Sequence, residues 1–498
     1  MKVLIANRGE IAVRVIRACR ELGYPTVAVY SEPDRAALHV VYADQAIPIG
    51  PAPSRESYLR IDRILDAAKK TGADAIHPGY GFLAENATFA RACRDAGITF
   101  IGPSPESIDA MGSKTESRTR MQAAGVPVVP GLLKPVESFE EIAVFAKSSG
   151  FPIMMKASAG GGGKGMRLVE HEEDLQQAFE RVTSEAQSFF GDGSVYAEKF
   201  IRSPRHIEVQ ILGDQHGNLI HFGERECTLQ RRHQKVVEEC PSPVVDAELR
   251  ERLGAMSVKA AAAVNYYSAG TIECLMGPDR EFYFLEMNTR LQVEHPVTEM
   301  VWGVDLVKEQ LRVARGEKLT LRQADLKPNG HAIECRIYAE DPARKFAPSP
   351  GLIRYLNLPQ GPGVRNENGV YAGYTVPVHY DPMLSKLVCH ASNREEAIAR
   401  MKRALIEYRV EGIETTIPFF SWIMDNDDFR KANFDTGYID RMLPRIDFAH
   451  TAGETSVDAA IAAAAIIAFE EAHRVQLPVE EDSPWKRAGR ANAMRGRR

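Results

Sequence analysis

The sequence predicts a mixed fold that is α/β at its start and α+β beyond it. Over residues 1–102, short apolar strands alternate with amphipathic helices, which is typical of a parallel, doubly wound sheet. Residues 132–203 combine helices with antiparallel strands, and residues 204–445 are rich in strands. A chain of 498 residues is long enough for about three domains, which agrees with this division.

The first region shows this alternation element by element. The strand KVLIAN precedes a helix in which Ile11, Val15, Ala18 and Leu22 form one apolar stripe, and Gly23 ends that helix. The next strands are TVAVY, ADAIHPG and ITFIGPS, and the helices between them are SYLRIDRILDAAKKTG and ENATFARACRDAG. The first turn, NRGEIA, holds a single glycine, so it lacks the three-glycine fingerprint of a dinucleotide-binding turn.

The second region contains the glycine-rich stretch MMKASAGGGGKGMRLV. It lies between the strands FPIMMKAS and MRLVEH, so we expect a hairpin flap that joins two antiparallel strands. Met166 stands where a Walker A loop needs lysine, a dinucleotide turn would open a helix directly, and the kinase motifs H-R-D and D-F-G do not occur. Glycine amides can approach phosphate oxygens closely, and Lys156 and Lys164 add positive charge. The remaining alternative is a hairpin tip without a ligand.

Two facing carboxylates are predicted in the segment TIECLMGPDREFYFLEMNTR. A turn centred between Asp279 and Arg280 places Glu273 opposite Glu286 on neighbouring strands. Cross-strand Cβ atoms are roughly 5 Å apart, so the two charges repel each other unless a cation bridges them. Hard oxygen ligands at this separation suit Mg²⁺ or Mn²⁺, and Asn288 shares their face because side chains alternate along a strand. The alternatives are an exposed, unbridged pair and a register that differs by one residue.

Three other segments are rich in charged and polar side chains, and the first of them suits a small oxyanion beside a general base. NTRLQVEHPVTE places Arg290, Gln292 and Glu294 at alternate positions, which face one side if the segment is extended. The other two segments are ERECTLQRRHQKVVEE, with His233 and Lys235, and HAIECRIYAED, with Glu334 and Arg336. Each segment alone could be a surface face, but coincidence is a poor explanation for their combination with the flap and the carboxylate hairpin.

Composition excludes several classes of protein. A net charge of −5 argues against a general nucleic-acid-binding protein. The longest apolar run, AAIAAAAIIAF, is too short to span a membrane, and no secretory signal is recognisable at the N-terminus. The seven cysteines lie far apart, which predicts reduced, mostly buried thiols in a cytoplasmic protein. The last residues, WKRAGRANAMRGRR, are predicted to be a solvated basic end.

Together these motifs resemble the biotin carboxylases of the ATP-grasp superfamily. The resemblance is carried, in chain order, by ANRGEIAVRVIRACRELG, HPGYGFLAENATFA, MGSK, KASAGGGGKGM, EKFI, RHIEVQIL, ERECTLQRRHQKVVEE, EMNTRLQVEHPVTE and HAIECRIYAEDP. It implies four regions: a Rossmann-like pre-ATP-grasp domain at 1–112, an ATP-grasp domain at 113–328 with a mobile lid at 132–203, a biotin carboxylase C-terminal domain at 329–446, and a helical, basic tail at 447–498.

The resemblance also implies where the substrates bind. ATP would lie between the lid and the central sheet. The implied phosphate ligands are Lys114, Lys156, Gly161, Gly162, Gly163, Lys164, Gly165 and His206. The implied nucleoside pocket consists of Glu198, Lys199, Gln230 and His233. Glu273, Glu286 and Asn288 would bind the Mg²⁺ or Mn²⁺ that bridges the ATP phosphates.

By the same resemblance, bicarbonate would contact a polar set that includes the predicted catalytic residues. This set is Lys235, Arg290, Gln292, the Val293 amide and Arg336. Glu294 would take the bicarbonate proton, so that bicarbonate attacks the γ-phosphate of ATP and forms carboxyphosphate. Carboxyphosphate would release CO₂ and phosphate, the phosphate would remove the N1′ proton of biotin, and Arg336 would stabilise the resulting enolate-like anion.

The resemblance further implies partners. The family's biotin attachment sequence, Ala-Met-Lys-Met, does not occur, so we expect no covalent biotin here and a separate biotin carboxyl carrier protein. We also expect a homodimer that works with a carboxyltransferase subunit, while the final acceptor, such as acetyl-CoA, propionyl-CoA or pyruvate, stays open. Two alternatives remain at this stage. One is a different ATP-grasp ligase, such as a carboxylate–amine or carbamoyl-phosphate-type enzyme, and the other is a catalytically silent ATP-binding scaffold.

Overall fold

The structure is a computed structural model that divides into two compact units, Met1–Ile446 and Asp447–Arg498. It describes residues 1–132, 134–136, 138–157, 166–190, 193–232, 234–446, 448, 457–473, 485 and 488. Within the second unit, it describes a helix at Val457–Ala472. In the described parts of the chain, every helix is too short or too polar to cross a bilayer. All seven cysteines are free and buried, which confirms the prediction of buried thiols.

A five-stranded parallel sheet forms the N-terminal region and confirms the predicted α/β pattern. Its strands are β1 Val3–Ile5, β2 Thr26–Ser31, β3 Gln45–Gly50, β4 Ala75–His77 and β5 Thr99–Phe100, in the spatial order β3-β2-β1-β4-β5. The helices that accompany it are α1 Gly9–Glu21, α2 Leu38–Tyr42, α3 Ile61–Thr71, α4 Ala87–Asp95, α5 Pro105–Gly112 and α6 Lys114–Ala123. Strand β3 was not predicted, because it is an edge strand that contains Pro48 and buries Ile49 alone.

The predicted lid region forms a three-stranded antiparallel sheet with two helices. The elements are α7 Phe139–Ser149, β6 Ile153–Ala157, β7 Met166–Val169, α8 Leu175–Phe190 and β8 Val195–Lys199, and the strand order is β7-β6-β8. Ile142, Ile153, Val182 and Val195 are fully buried in its core. Strands β6 and β7 pair antiparallel, which confirms the predicted hairpin; the glycine loop between them lies outside the described residues.

A large antiparallel sheet carries most of the predicted site. The strands from residue 205 onward are β9 Arg205–Gly213, β10 Leu219–Arg231, β11 Gln234–Cys240, β12 Ser268–Met276, β13 Phe282–Asn288, β14 His331–Tyr338, β15 Glu340–Asp341, β16 Ala347–Pro348, β17 Gly351–Leu352, β18 Tyr355–Asn357, β19 Val364–Asn368, β20 Thr375–Val376, β21 Met383–Ala391 and β22 Arg409–Glu411. Eight of them pair in the order β13-β12-β9-β10-β11-β14-β21-β19, and the others form two-stranded pairs.

Helices cover this sheet and complete its core. They are α9 Ala247–Ala262, α10 His295–Trp302, α11 Leu306–Ala314, α12 Arg394–Glu407, α13 Ile417–Asp425, α14 Asp427–Arg430 and α15 Tyr438–Met442. Strand β14 pairs with β11, with Cys335 opposite Val237, so the sheet continues across the boundary predicted at residues 328 and 329. The side chains that point from this sheet toward α10 therefore come from both predicted domains.

Candidate active site

The β12–β13 hairpin places two glutamates face to face. Glu273 lies opposite Glu286, as the sequence predicted, and Thr271 lies opposite Asn288. A bulge follows Glu273 and shifts the register toward the turn, so that Met276 pairs with Phe282. The turn is therefore centred on Asp279 rather than between Asp279 and Arg280, while the pairing of the two acids is unchanged.

Nitrogen donors surround the buried Glu273 carboxylate. Its Oε1 accepts hydrogen bonds from Lys235 Nζ at 2.8 Å, Asn288 Nδ2 at 2.8 Å and Gln292 Nε2 at 2.6 Å. His206 Nε2 lies 3.1 Å from its Oε2. Burial alone raises the pKa of Glu273, but the charges of Lys235 and His206 outweigh it and hold that pKa far below its ordinary value. The positive charges of Lys235 and His206 thus offset the negative charges of the facing Glu273 and Glu286.

The hairpin also offers a donor set for a hard divalent cation. Glu273 and Glu286 provide carboxylate oxygens, and Asn288 provides an amide oxygen, which is the ligand chemistry that Mg²⁺ and Mn²⁺ accept. The ligand atoms of His206, Glu208 and Glu273 also lie within 4.8 Å of one another. The residues present therefore fit the predicted metal, with three acids close to one sheet edge.

Lys235 connects the carboxylate hairpin to the predicted general base. Its Nζ donates to Glu273 at 2.8 Å, to Glu294 Oε1 at 2.7 Å, and also to Glu208. These acid side chains are between 0% and 7% exposed, so solvent contributes little to their charge balance. Although burial opposes it, the three carboxylates raise the pKa of Lys235 well above its ordinary value, so the side chain is a permanent cation.

Arg336 reaches Glu294 from the opposite side. Its Nη2 donates to Glu294 Oε2 at 2.9 Å, and its Nε donates to Glu238 Oε1 at 2.6 Å. Burial raises the pKa of Glu294, but the charges of Lys235 and Arg336 lower it below the ordinary value. An ionised carboxylate between two cations can accept a proton, and the cations can hold a small anion beside it.

The segment from Arg290 to Glu294 is not an extended strand, although the prediction that Arg290, Gln292 and Glu294 share one face assumed that it is. Residues 291 and 292 have no regular structure, and a turn leads into α10 at His295. The predicted residues still meet the cluster: Gln292 contacts Glu273, and Glu294 contacts Lys235 and Arg336. Arg290 also meets the cluster, because its Nη2 donates to Asn288 Oδ1 at 2.9 Å, while its Nε donates to Glu85 Oε2 at 2.9 Å. The structure thus brings this set together through a turn rather than through strand periodicity.

A cavity of about 500 Å³ opens beside this turn. Its lining includes Arg290, Val293 and Arg336, together with Glu10 and Tyr80 from the N-terminal region. A larger cavity of about 650 Å³ lies between the hairpin turn and residues 428–445, and none of the predicted site residues lines it. The smaller cavity is therefore the one that adjoins the charged cluster, and it is open to a small organic substrate.

Those predicted nucleotide ligands that the structure describes lie in the predicted lid region and on or beside the eight-stranded sheet. Lys156 on β6 and Glu198 on β8 form an ion pair. Lys199 Nζ donates to the carbonyls of Gly150, at 2.9 Å, and Phe151, at 3.0 Å. The remaining predictions in this group stand as follows: Gln230 Nε2 donates to the Cys227 carbonyl at 3.1 Å, Lys114 begins α6 with its side chain undescribed, and Gly161, Gly162, Gly163, Lys164, Gly165 and His233 lie outside the described residues.

Three buried residues of the site were not predicted. Arg225 has no exposed surface and donates to Glu208 Oε1 at 2.5 Å and Gln292 Oε1 at 2.8 Å, as well as to three neutral acceptors. Glu208 also binds Lys235, and Glu238 binds Arg336. Glu208 and Glu238 lie beside apolar residues in RHIEVQIL and KVVEEC, which is the signal that could have identified them, whereas Arg225 lies among other charges in GERECTL and gives no such signal.

Comparisons with known proteins agree with this architecture. Residues 1–108 match the family described as "Biotin carboxylase, N-terminal domain", and residues 334–441 match "Biotin carboxylase C-terminal domain". Residues 113–322 match "Carbamoyl-phosphate synthase L chain, ATP binding domain".

Individual relatives match over nearly the same length. A biotin carboxylase of Halalkalibacterium halodurans is 54% identical over 442 residues, 89% of this chain and 98% of the relative. A pyruvate carboxylase subunit of Methanothermobacter thermautotrophicus is 56% identical over 447 residues, 90% of this chain and 91% of the relative. A crystal structure of biotin carboxylase from Campylobacter jejuni superposes with a TM-score of 0.81 at 50% identity, covering 88% of this chain and 98% of that one. The chain belongs to the biotin carboxylase family.

Proposed function

We propose that this chain carboxylates biotin carried by a separate biotin carboxyl carrier protein, with ATP and bicarbonate as the other substrates. The observation that carries this proposal is the position of Glu294 between Lys235 and Arg336, in one buried cluster with Glu273. A general base, an anion site and a candidate cation site lie together there. Activation of bicarbonate by ATP needs these three features in one place.

In the first step, bicarbonate binds among the cations and is activated. Its proposed ligands are Lys235, Arg290, Gln292, the Val293 amide and Arg336. Glu294 takes the bicarbonate proton, and the freed oxygen attacks the γ-phosphorus of ATP. The bond to the ADP oxygen breaks, and carboxyphosphate forms. Most of the rate enhancement comes from positioning and from neutralising charge, because little covalent chemistry falls to the protein.

ATP is proposed to bind between the lid and the eight-stranded sheet. The proposed phosphate ligands are Lys114, Lys156, Gly161, Gly162, Gly163, Lys164, Gly165 and His206, and the proposed nucleoside pocket is Glu198, Lys199, Gln230 and His233. Glu273, Glu286 and Asn288 are the proposed ligands of Mg²⁺ or Mn²⁺, which when bound neutralises phosphate charge. The ion pair between Lys156 and Glu198 supports this arrangement, since it joins two proposed ATP ligands across the lid.

In the second step, biotin reacts beside Arg336. Carboxyphosphate breaks into CO₂ and phosphate, and the phosphate takes the N1′ proton of biotin. The N1′ nitrogen then attacks CO₂, while Arg336 stabilises the enolate-like anion of the ureido group. The cavity of about 500 Å³ that Arg290, Val293 and Arg336 line has room for this ring, which supports the placement of biotin there.

The proposed assembly is a cytoplasmic homodimer that works with a biotin carboxyl carrier protein and a carboxyltransferase subunit. The acceptor stays open among acetyl-CoA, propionyl-CoA and pyruvate. One of the relatives is named for its place in pyruvate carboxylase, and a structural neighbour that is 49% identical, with a TM-score of 0.85 over 89% of this chain and 98% of its own, is a domain of a thermophilic 2-oxoglutarate carboxylase. Isolation of the native complex and identification of its carboxyltransferase would determine the acceptor.

The proposal is tested by ATP cleavage with and without bicarbonate and free biotin. We expect both substrates to be required for full turnover, and Glu294→Ala to abolish turnover while the dissociation constant for ATP stays within about twofold. The control is Glu281→Ala, at an exposed glutamate in the hairpin turn, which should retain wild-type turnover. ATP cleavage that ignores bicarbonate and biotin would favour another ATP-grasp ligase, and ATP binding without any turnover would favour a silent scaffold.

A further inference from the structure

Lys386 is a buried cation behind the turn formed by residues 290–294, which we name the anion loop. Lys386 lies on β21 and has no exposed surface. Its Nζ donates to the Val293 carbonyl oxygen at 2.9 Å, lies 3.2 Å from Glu10 Oε2, and lies 5.6 Å from the centre of the Tyr80 ring. The bond to the Val293 carbonyl is thus a hydrogen bond, whereas Glu10 and Tyr80 contribute a nearby negative charge and an aromatic face.

The anion loop is positioned by side chains from distant parts of the chain. Glu85 holds Arg290, and Arg225 holds Gln292 through its side-chain oxygen. Lys386 differs from these two, because it binds the loop backbone at the peptide group that joins Val293 to Glu294. Since that peptide leads directly into the proposed general base, its orientation determines where the Glu294 carboxylate starts.

The register of the sheet places Lys386 beside Arg336. The two residues are cross-strand partners on β21 and β14, so their side chains leave the sheet on the same face. Arg336 reaches the Glu294 carboxylate, and Lys386 reaches the carbonyl immediately before it. Two neighbouring cations thus hold the side chain and the backbone of the same short segment.

We propose that Lys386 is a positioning residue for bicarbonate activation, acting through the Val293 carbonyl on the Val293 amide and the Glu294 carboxylate. This inference rests on the proposed function. It assigns Lys386 no contact with a reacting atom. If Lys386 only balanced the charge of Glu10, loss of the Lys386 ammonium would leave the anion loop in place. The positioning role and the charge-balancing role therefore predict different kinetics for variants of Lys386.

The test compares Lys386→Met, Lys386→Ala and Glu10→Gln in bicarbonate-dependent ATP cleavage. Met keeps most of the side-chain volume and removes the donor, so we expect the KM for bicarbonate to rise roughly tenfold or more at an ATP dissociation constant within twofold of wild type. Glu10→Gln removes the charge beside Lys386 but keeps the bond to Val293, so we expect it to raise that KM less than Lys386→Met does. Glu10, Tyr80 and Val293 all line the 500 Å³ cavity, so ethylammonium can reach the space left in Lys386→Ala, and we expect it, unlike propanol, to lower the raised KM.

Three results would overturn the inference. These are an unchanged bicarbonate KM in Lys386→Met, an equal rise in Glu10→Gln, and rescue of Lys386→Ala by propanol as well as by ethylammonium. If Lys386→Met does not fold, the inference is decided by Lys386→Ala, measured with ethylammonium and with propanol, and by Glu10→Gln. A wild-type enzyme without bicarbonate-dependent turnover would refute the proposed function and this inference together, whereas an active wild type with an unaffected Lys386→Met refutes this inference alone.

Discussion

Replacement of Lys235 by methionine tests the charge balance of the whole cluster. Lys235 Nζ binds Glu208, Glu273 and Glu294, and methionine has a similar length without the charge. The variant leaves three buried carboxylates that face one another with one cation fewer. The substitution therefore isolates electrostatics from packing more cleanly than alanine would.

The size of the effect follows from the burial of these groups. Lys235 is 13% exposed and its three partners are 0% to 7% exposed, so this is a buried network and not a surface ion pair. Removing one partner of a buried ion pair costs about 3–5 kcal/mol of folding free energy, because the remaining charge is left uncompensated. We expect a loss in this range at pH 8 in EDTA and without nucleotide.

The loss of folding free energy caused by Lys235→Met should become smaller as the pH falls. In the wild type, the pKa values of Glu273 and Glu294 are held below their ordinary value by Lys235 against the effect of burial, so their stabilisation is present above that value and is lost only in stronger acid. Without Lys235, burial raises these pKa values, and the folded variant gains stability by taking up protons as the pH falls from 8 to 5. The difference in stability between wild type and variant should therefore narrow over this range.

Equilibrium unfolding in urea, followed by tryptophan fluorescence at pH 8 and pH 5, measures both the size and the trend. The control is Lys402→Met, at a lysine that pairs with Asp425 on the surface with both side chains at least 42% exposed, and its effect should be below about 1 kcal/mol. A Lys235→Met loss no larger than that of the control, or a difference that stays constant with pH, would refute the reasoning.

Two further changes have defined outcomes. Glu273→Gln removes one charge from the proposed metal ligands, so we expect the Mg²⁺ concentration for half-maximal ATP cleavage to rise by about tenfold or more, and an unchanged metal titration would contradict the assignment. Burial lowers the pKa of the His39 imidazole to about 4, whereas the imidazole of the unfolded chain is protonated below about pH 6.5. Because the unfolded state binds this proton more tightly, the folded state loses stability as the pH falls from about 6.5 to about 4. His39→Asn should therefore show a smaller drop in its urea midpoint between pH 7 and pH 4.5, and equal drops in both proteins would contradict the prediction.

The carboxylate hairpin was predictable because its constraints are local. Side chains alternate along a strand, and a short turn fixes the register, so the pairing of Glu273 with Glu286 follows from counting residues. The bulge after Glu273 was not predictable, since an extra residue in one strand leaves no mark in the apolar pattern. It shifts only the turn side of the hairpin, and the prediction for the acids therefore held.

The anion loop shows where sequence reasoning fails. Alternation suggested one shared face for Arg290, Gln292 and Glu294, but the segment turns into a helix instead. Its geometry depends on Glu85, which is about two hundred residues away, and on other distant side chains. Such contacts depend on the packing of whole sheets, so no spacing within the loop can reveal them.

The eight-stranded sheet continues across the predicted boundary at residues 328 and 329, and it thereby joins the parts of the candidate site that lie on either side. Glu238 on β11 pairs with Glu334 on β14, and Arg336 on β14 pairs with Lys386 on β21. A shift of β14 and β21 by one residue relative to β11 would turn Arg336 away from Glu294 and Lys386 away from the Val293 carbonyl. Burial of apolar neighbours on both faces penalises such a shift, because it would also expose Ile333 and Cys335 to the charged cluster. The position of the cations relative to the proposed base is thus fixed by the register of three strands, and the proposed chemistry depends on the same pairing that joins the two predicted domains.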